Sequence, residues 1–159
     1  DDFLADQEKE RGIKHELAHR FNESLFPTKN DIEPWYNTFD EGSAMYASRE
    51  INTFIQNGAE EKHYKKYKES PDHWKSDLGG VPGHAVGYVF FVGLSVDYNL
   101  TPEQNRTAIF LLREKYIKTG KDLGKVDIQD AYEQALGVSL EPLFKLLESG
   151  VTLLYKQVK

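Results

Sequence analysis

Ile13-Lys14-His15-Glu16-Leu17-Ala18-His19-Arg20-Phe21-Asn22-Glu23-Ser24-Leu25 carries an apolar residue at every fourth position: Ile13, Leu17, Phe21 and Leu25. That spacing lies close to the helical repeat of about 3.6 residues. It predicts a helix over residues 3–25, stopped by Phe26-Pro27, with those four side chains as its core stripe. With Ile13 at zero and about 100° per residue, Leu17 and Phe21 fall at roughly 40° and 80°, His15 and His19 at roughly 200° and 240°. The helix is therefore expected to pack through its apolar face and to present the two histidines on the other.

The rest of the chain also reads as helical. A connecting stretch, 27–36, leads to a second helix over about 39–56, closed by Asn57-Gly58. Residues 60–70 are highly charged and read as a solvated helix, and 70–72 and 77–83 as loops by their Gly, Pro and Asp content. A strongly apolar helix is expected over 84–98. Thr101-Pro102-Glu103-Gln104 has the form of a capping box with proline at the first helical position, opening a helix that reaches Thr119. Asp127 is expected to cap a short helix ending at Gly137. Ser139 begins another that ends near Gly150, with 151–158 continuing as helix. Strands are almost absent, which predicts a mainly α fold in one domain over 1–159.

Bulk composition bounds the function. A chain of 159 residues can bury a core of its own, and 39% hydrophobic with 13% aromatic residues excludes a mainly disordered protein. The formal charge of −6 argues against nucleic acid as a partner. The longest apolar run, 85–96, is broken by Gly87, Gly93 and Ser95 and is too short to span a bilayer. The start, Asp1-Asp2-Phe3-Leu4-Ala5-Asp6, lacks the pattern of a signal peptide and is the start expected of a processed or trimmed chain. With no cysteine, any metal must be held by His, Asp and Glu. The cytoplasm and a secreted setting both fit that composition.

His15-Glu16-x-x-His19 has the spacing zinc chemistry needs. Residues i and i+4 advance about 400°, so two imidazoles point the same way one turn apart and can reach one ion at roughly 2.0–2.1 Å. Glu16, offset by about one residue's rotation, does not join them as a ligand but can act as general base on a water activated by the ion. An amphipathic surface helix with two histidines gives much the same wheel, so a second constellation is needed to decide.

It lies at Asp40-Glu41-Gly42-Ser43-Ala44-Met45-Tyr46, where two carboxylates offer a third ligand. With the first motif, this segment resembles the gluzincins, zinc peptidases whose two motif histidines are joined by a glutamate on a following helix in an E-G-x-A-x-Y setting. The resemblance covers residues 11–46. It implies Zn²⁺ held by His15, His19 and Glu41, hydrolysis of peptide bonds in a peptide or protein substrate, and a zincin-like helical domain whose usual β-sheet is small or missing. Gly42 and Ala44 are expected to let the second helix lie close against the motif helix. Asn22 and Leu25 stand where metzincins need Gly and a third His. Met45 stands where thermolysin-like relatives carry an Asp that orients a histidine. The likeness is therefore to the aminopeptidase-like and predicted zinc-dependent protease branches, with Asp40 or a backbone carbonyl in the orienting role.

Peptide hydrolysis also needs a donor for the oxyanion. Gluzincins supply a Tyr or His from a downstream segment, and His84 and Tyr88, four apart at the start of the apolar helix, are the candidates; Tyr46 is a weaker one. A core role for Tyr88 and a helix-start role for His84 fit the sequence equally well. His63 and His73 lie in charged surroundings and read as solvated. Asn22-Glu23-Ser24 and Asn105-Arg106-Thr107 match the glycosylation pattern but fall inside expected helices and read as structural. Two other functions fit the same motifs: hydrolysis of a non-peptide amide or ester, and a catalytically degenerate zincin-like domain that serves as a metal-binding or protein-interaction module.

Overall fold

Caps, prolines and glycines set most of the helix boundaries. The protein is described here by a computed structural model covering residues 2–27, 33–48, 59–70 and 82–155. The helices are α1 (Asp2–Leu25), α2 (Pro34–Ala47), α3 (Ala59–Glu69), α4 (Pro82–Tyr98), α5 (Pro102–Thr119), α6 (Lys125–Leu136) and α7 (Glu141–Tyr155). The fold is mainly α, and no strand occurs among the described residues. None of the described helices is long and apolar enough to cross a membrane.

Several expected boundaries shift for local reasons. Helix α2 starts at Pro34 rather than near Phe39, because the Glu33 carboxylate accepts the Trp35 N–H at 3.2 Å and Pro34 needs no donor partner at the first position. The far end of the helix expected over 39–56 lies outside the described residues, as does most of the loop expected over 77–83, although Pro82 and Gly83 belong to α4. The Thr101–Gln104 capping box forms as expected, and Gly120, at φ 62°, closes α5 in the left-handed conformation that glycine adopts without strain. Gly124 holds the N-cap position of α6, and Asp127 caps the helix from within as the third residue of a capping box. The Asp127 carboxylate accepts the Gly124 N–H through Oδ2 at 3.0 Å.

Helix α4 is the axis of the core: Val86, Val89, Phe90, Phe91, Val92 and Leu94 are all essentially inaccessible. Phe90 meets Tyr132 of α6 and Phe144 of α7 edge-on, at ring separations of 5.2 and 5.5 Å, and Trp35 of α2 stacks on Phe144 at 5.7 Å. Tyr132 also donates to buried Asn105 of α5 at 2.7 Å. Helix α3 is not simply solvated. Lys62, Lys65, Lys66, Lys68 and Glu69 are exposed, but Tyr64 and Tyr67 are buried, and the Tyr64 hydroxyl would lie only 2.8 Å from a Cβ on Gly93 of α4.

The expected stripe on α1 is overturned. Ile13 and Leu17 are each 61% exposed and Phe21 56%, and only Leu25 packs on the core. The inward face of α1 is instead the one bearing His15, His19, Asn22 and Phe26, with Asn22 and Phe26 buried. Phe26 inserts between Tyr36, Phe39 and Tyr116 at 6.0–6.4 Å between rings. The histidine face is thus the packing face.

Candidate metal centre

Three helices bring their polar side chains to one point. Helix α1 supplies His15 and His19, α2 supplies Asp40 and Glu41, and the first turn of α4 supplies His84. The close approach of α2 to α4 comes from two glycines. A Cβ on Gly42 would lie 2.5 Å from the Gly87 carbonyl oxygen, and one on Gly87 2.6 Å from the Gly42 nitrogen. Gly42 therefore faces α4 and not the motif helix, contrary to the reading from sequence. With the two backbones in contact, Glu41 and His84, which flank those glycines, reach each other.

The ligand-type atoms converge. His15 Nε2 lies 3.0 Å from His19 Nε2, and Glu41 Oε2 lies 3.7 Å from the first and 3.4 Å from the second. Atoms bound at roughly 2.0–2.1 Å to a four-coordinate zinc stand about 3.3 Å from one another, so the three separations scatter around the edge of such a polyhedron. His84 Nε2 comes to 2.7 Å of the same Glu41 oxygen. His15, Glu41 and His84 together offer atoms all within 4.8 Å of one another.

Glu41 Oε2 tests whether this set fits a cation. It is shut off from solvent, yet no donor is aligned to hydrogen-bond it. The surrounding imidazole nitrogens, at 2.7–3.7 Å, are near enough to attract it, His84 most closely. A buried anionic oxygen left this way is costly, and an ion among these atoms would satisfy it and the ring nitrogens together. Burial works to raise the Glu41 carboxyl above its ordinary value, but His84, His19 and His15 outweigh it and hold the group below. The donor set of imidazoles and one carboxylate, without sulfur, suits zinc.

Behind the ligands stands an orienting network. Asp40 Oδ2 lies 2.8 Å from His19 Nδ1, leaving Nε2 to face the cluster. Asp40 Oδ1 accepts from Asn22 Nδ2 at 2.6 Å, and the same amide donates to Ser43 Oγ at 2.6 Å. Ser43 in turn donates to the Asp40 carbonyl at 3.0 Å. Burial raises the Asp40 carboxyl above its ordinary value, against the pull of Asn22 and His19. Asp40 thus partners the His19 ring, while the Met45 side chain packs on the core. Asn22 was missed as a member of the site. The signal was its spacing, since it follows His15 by seven residues and His19 by three and so shares their face.

Glu16 is exposed beside this cluster, in an open cavity of about 440 Å³ that is also lined by Arg20, Glu23, Asp40 and the four ligand candidates. Tyr88 lies one turn beyond His84, half-buried against the core, and is not among the residues lining the cavity. Tyr46 packs its ring on Phe91 at 5.4 Å. His63 lies on α3, and His73 falls outside the described residues. Comparison with known protein families, with curated proteins and with solved structures finds no match to this chain.

Proposed function

We propose that the chain is a zinc-dependent hydrolase of peptide bonds, with His15, His19 and Glu41 holding the ion and Glu16 as general base. The observation that carries the reading is the surrounding of Glu41 Oε2: buried, without an aligned donor, and at ligand-to-ligand distance from the two motif imidazoles. A zinc ion supplies Lewis acidity there, polarising a carbonyl and lowering the pKa of a coordinated water towards about 7. Asp40 fixes the His19 ring through Nδ1. Glu16, exposed at the cavity, accepts the proton of the attacking water on its carboxylate and returns it to the leaving amine. Of the two oxyanion-donor candidates, His84 lines the cavity and Tyr88 does not, so His84 serves in that role.

Glu16→Gln tests the reading. The variant is expected to keep its zinc and to lose about 10²- to 10⁴-fold in turnover of a peptide library. Turnover at the wild-type rate would show that the mechanism is wrong. A second reading, a metal-binding module without turnover, is favoured by the missing strand, since peptidases commonly hold substrate along a sheet edge and none is present among the described residues. That reading expects stoichiometric zinc and no cleavage by the wild-type chain.

A further inference from the structure

His84 has a place in the cluster that an oxyanion donor does not require. Its Nε2 lies nearer to Glu41 Oε2, at 2.7 Å, than either motif histidine does, and it falls with His15 and Glu41 inside one group of ligand atoms. Two roles compete for it. As an outer partner it would donate a well-directed hydrogen bond to Glu41, steadying the carboxylate from behind. As a ligand it would point, like His15 and His19, at a position shared with Glu41. The distance alone allows either, since His84 Nε2 stands within hydrogen-bond reach of Glu41 Oε2 and helps hold that carboxyl down; what favours the ligand is that His84 falls with His15 and Glu41 in one group of ligand atoms within 4.8 Å of one another. Its origin is also distinct. His15 and His19 come from one turn of α1, whereas His84 arrives from α4, delivered by the Gly42–Gly87 contact.

We infer that His84 is a fourth protein ligand, so that the metal centre rests with His15, His19, Glu41 and His84 around one ion. The inference depends on the reading of this cluster as a metal site. It changes the chemistry of that site, because a zinc with four protein ligands is closed, and a position for water or a carbonyl opens only when one ligand leaves. His84 is the ligand able to leave. Its side chain is 49% exposed, against 14% for His15 and Glu41 and 22% for His19, and it stands in the first turn of its helix. The motif histidine His19 is held from behind by Asp40. Departure of His84 by side-chain rotation would leave the three-ligand arrangement used in catalysis, and its persistence would leave a purely structural centre.

Cobalt(II) in place of zinc, with the full chain, supplies the test. Wild type and His84→Ala are titrated with Co²⁺, reading the visible ligand-field bands, and with Zn²⁺ against a chromophoric chelator. His84→Ala is expected to shift the Co²⁺ bands and to weaken Zn²⁺ by at least about tenfold, the lower end of what loss of an outer partner alone costs. In wild-type protein labelled with ¹⁵N-histidine, Zn²⁺ should move ring-nitrogen resonances of three histidines. This arm does not depend on the variant folding. Two shifted histidines, or unchanged bands and affinity in the variant, would overturn the fourth ligand and leave the three-ligand site standing. A wild-type chain that takes up neither metal would overturn both.

Discussion

A histidine ligand has two nitrogens, and the one away from the ion decides whether the other is usable. His19 has the arrangement that such a ligand would need: Nδ1 faces Asp40 at 2.8 Å while Nε2 faces the cluster. Asp40 is itself fixed by Asn22. Replacing Asp40 by Asn keeps the shape but removes the charge and turns a donor towards His19 in one amide orientation. We expect Asp40→Asn to lower zinc affinity about 10- to 100-fold with little change in secondary structure, read by chelator competition and circular dichroism. Unchanged affinity would show that His19 needs no partner. At this scale much was legible: His15, Glu16, His19 and Glu41 were read from motif spacing, and Asp40 from the departure at Met45. Asn22 was not, because a polar residue within a helix gives no local sign that it will be buried.

At the scale of elements, patterns within one helix were readable and contacts between helices were not. The Thr101–Gln104 box and the Gly137 stop depend on a few adjacent residues, and they formed as the sequence implied. The apolar repeat at Ile13, Leu17 and Phe21 was read as a core stripe because periodicity reports which residues share a face, not which face meets the protein. Here packing went to the histidine face, where Phe26 and the Asn22 network lie. Gly42 likewise marks a point of close approach in the sequence, but a glycine carries no information about its partner, and the neighbour it meets is α4 rather than the motif helix. The α2–α4 contact it makes gives a direct test. In Gly87→Ala the new Cβ would meet backbone atoms at 2.6 Å, which side-chain repacking does not relieve. The two helices must separate, and overpacking of this kind typically costs about 1–3 kcal/mol, occasionally more. Because Glu41 and His84 flank the contact, zinc affinity should fall along with the denaturation midpoint. A variant that loses stability but binds zinc as wild type does would uncouple the contact from the site.

At the scale of the whole molecule, the unequal anchoring of α1 would couple the proposed metal binding to stability. The core around α4 is closed by α6 and α7 through Phe90, Tyr132 and Phe144, and by α5 through Asn105, which accepts from Tyr132. Helix α1 joins that core mainly at its C-terminal end. There Phe26 is buried, Arg113 of α5 donates to the Leu25 carbonyl, and Tyr116 donates to the Pro27 carbonyl at 2.6 Å. Among the described side chains of α1 before Asn22, those of Arg11, His15, Ala18 and His19 are partly buried, while Ile13, Leu17 and Phe21 face water. Helix α1 is therefore held at one end by apolar packing and along its middle by the site. An ion bound at the site ties α1 to α2, and through His84 to α4. Since binding to the folded state alone stabilises by RT ln(1 + [L]/Kd), zinc at 100 times its Kd should add about 2.7 kcal/mol. That gain should be local in amide exchange: zinc slows exchange in α1 around His15 to Asn22 and in α2 near Glu41, and EDTA reverses it. The amides of α5 to α7 are expected to change far less, because their protection comes from a core the ion does not touch. Slowing spread evenly over all helices would mean that α1 and the core unfold as one unit. No slowing in α1 would mean that the two motif histidines do not hold the ion.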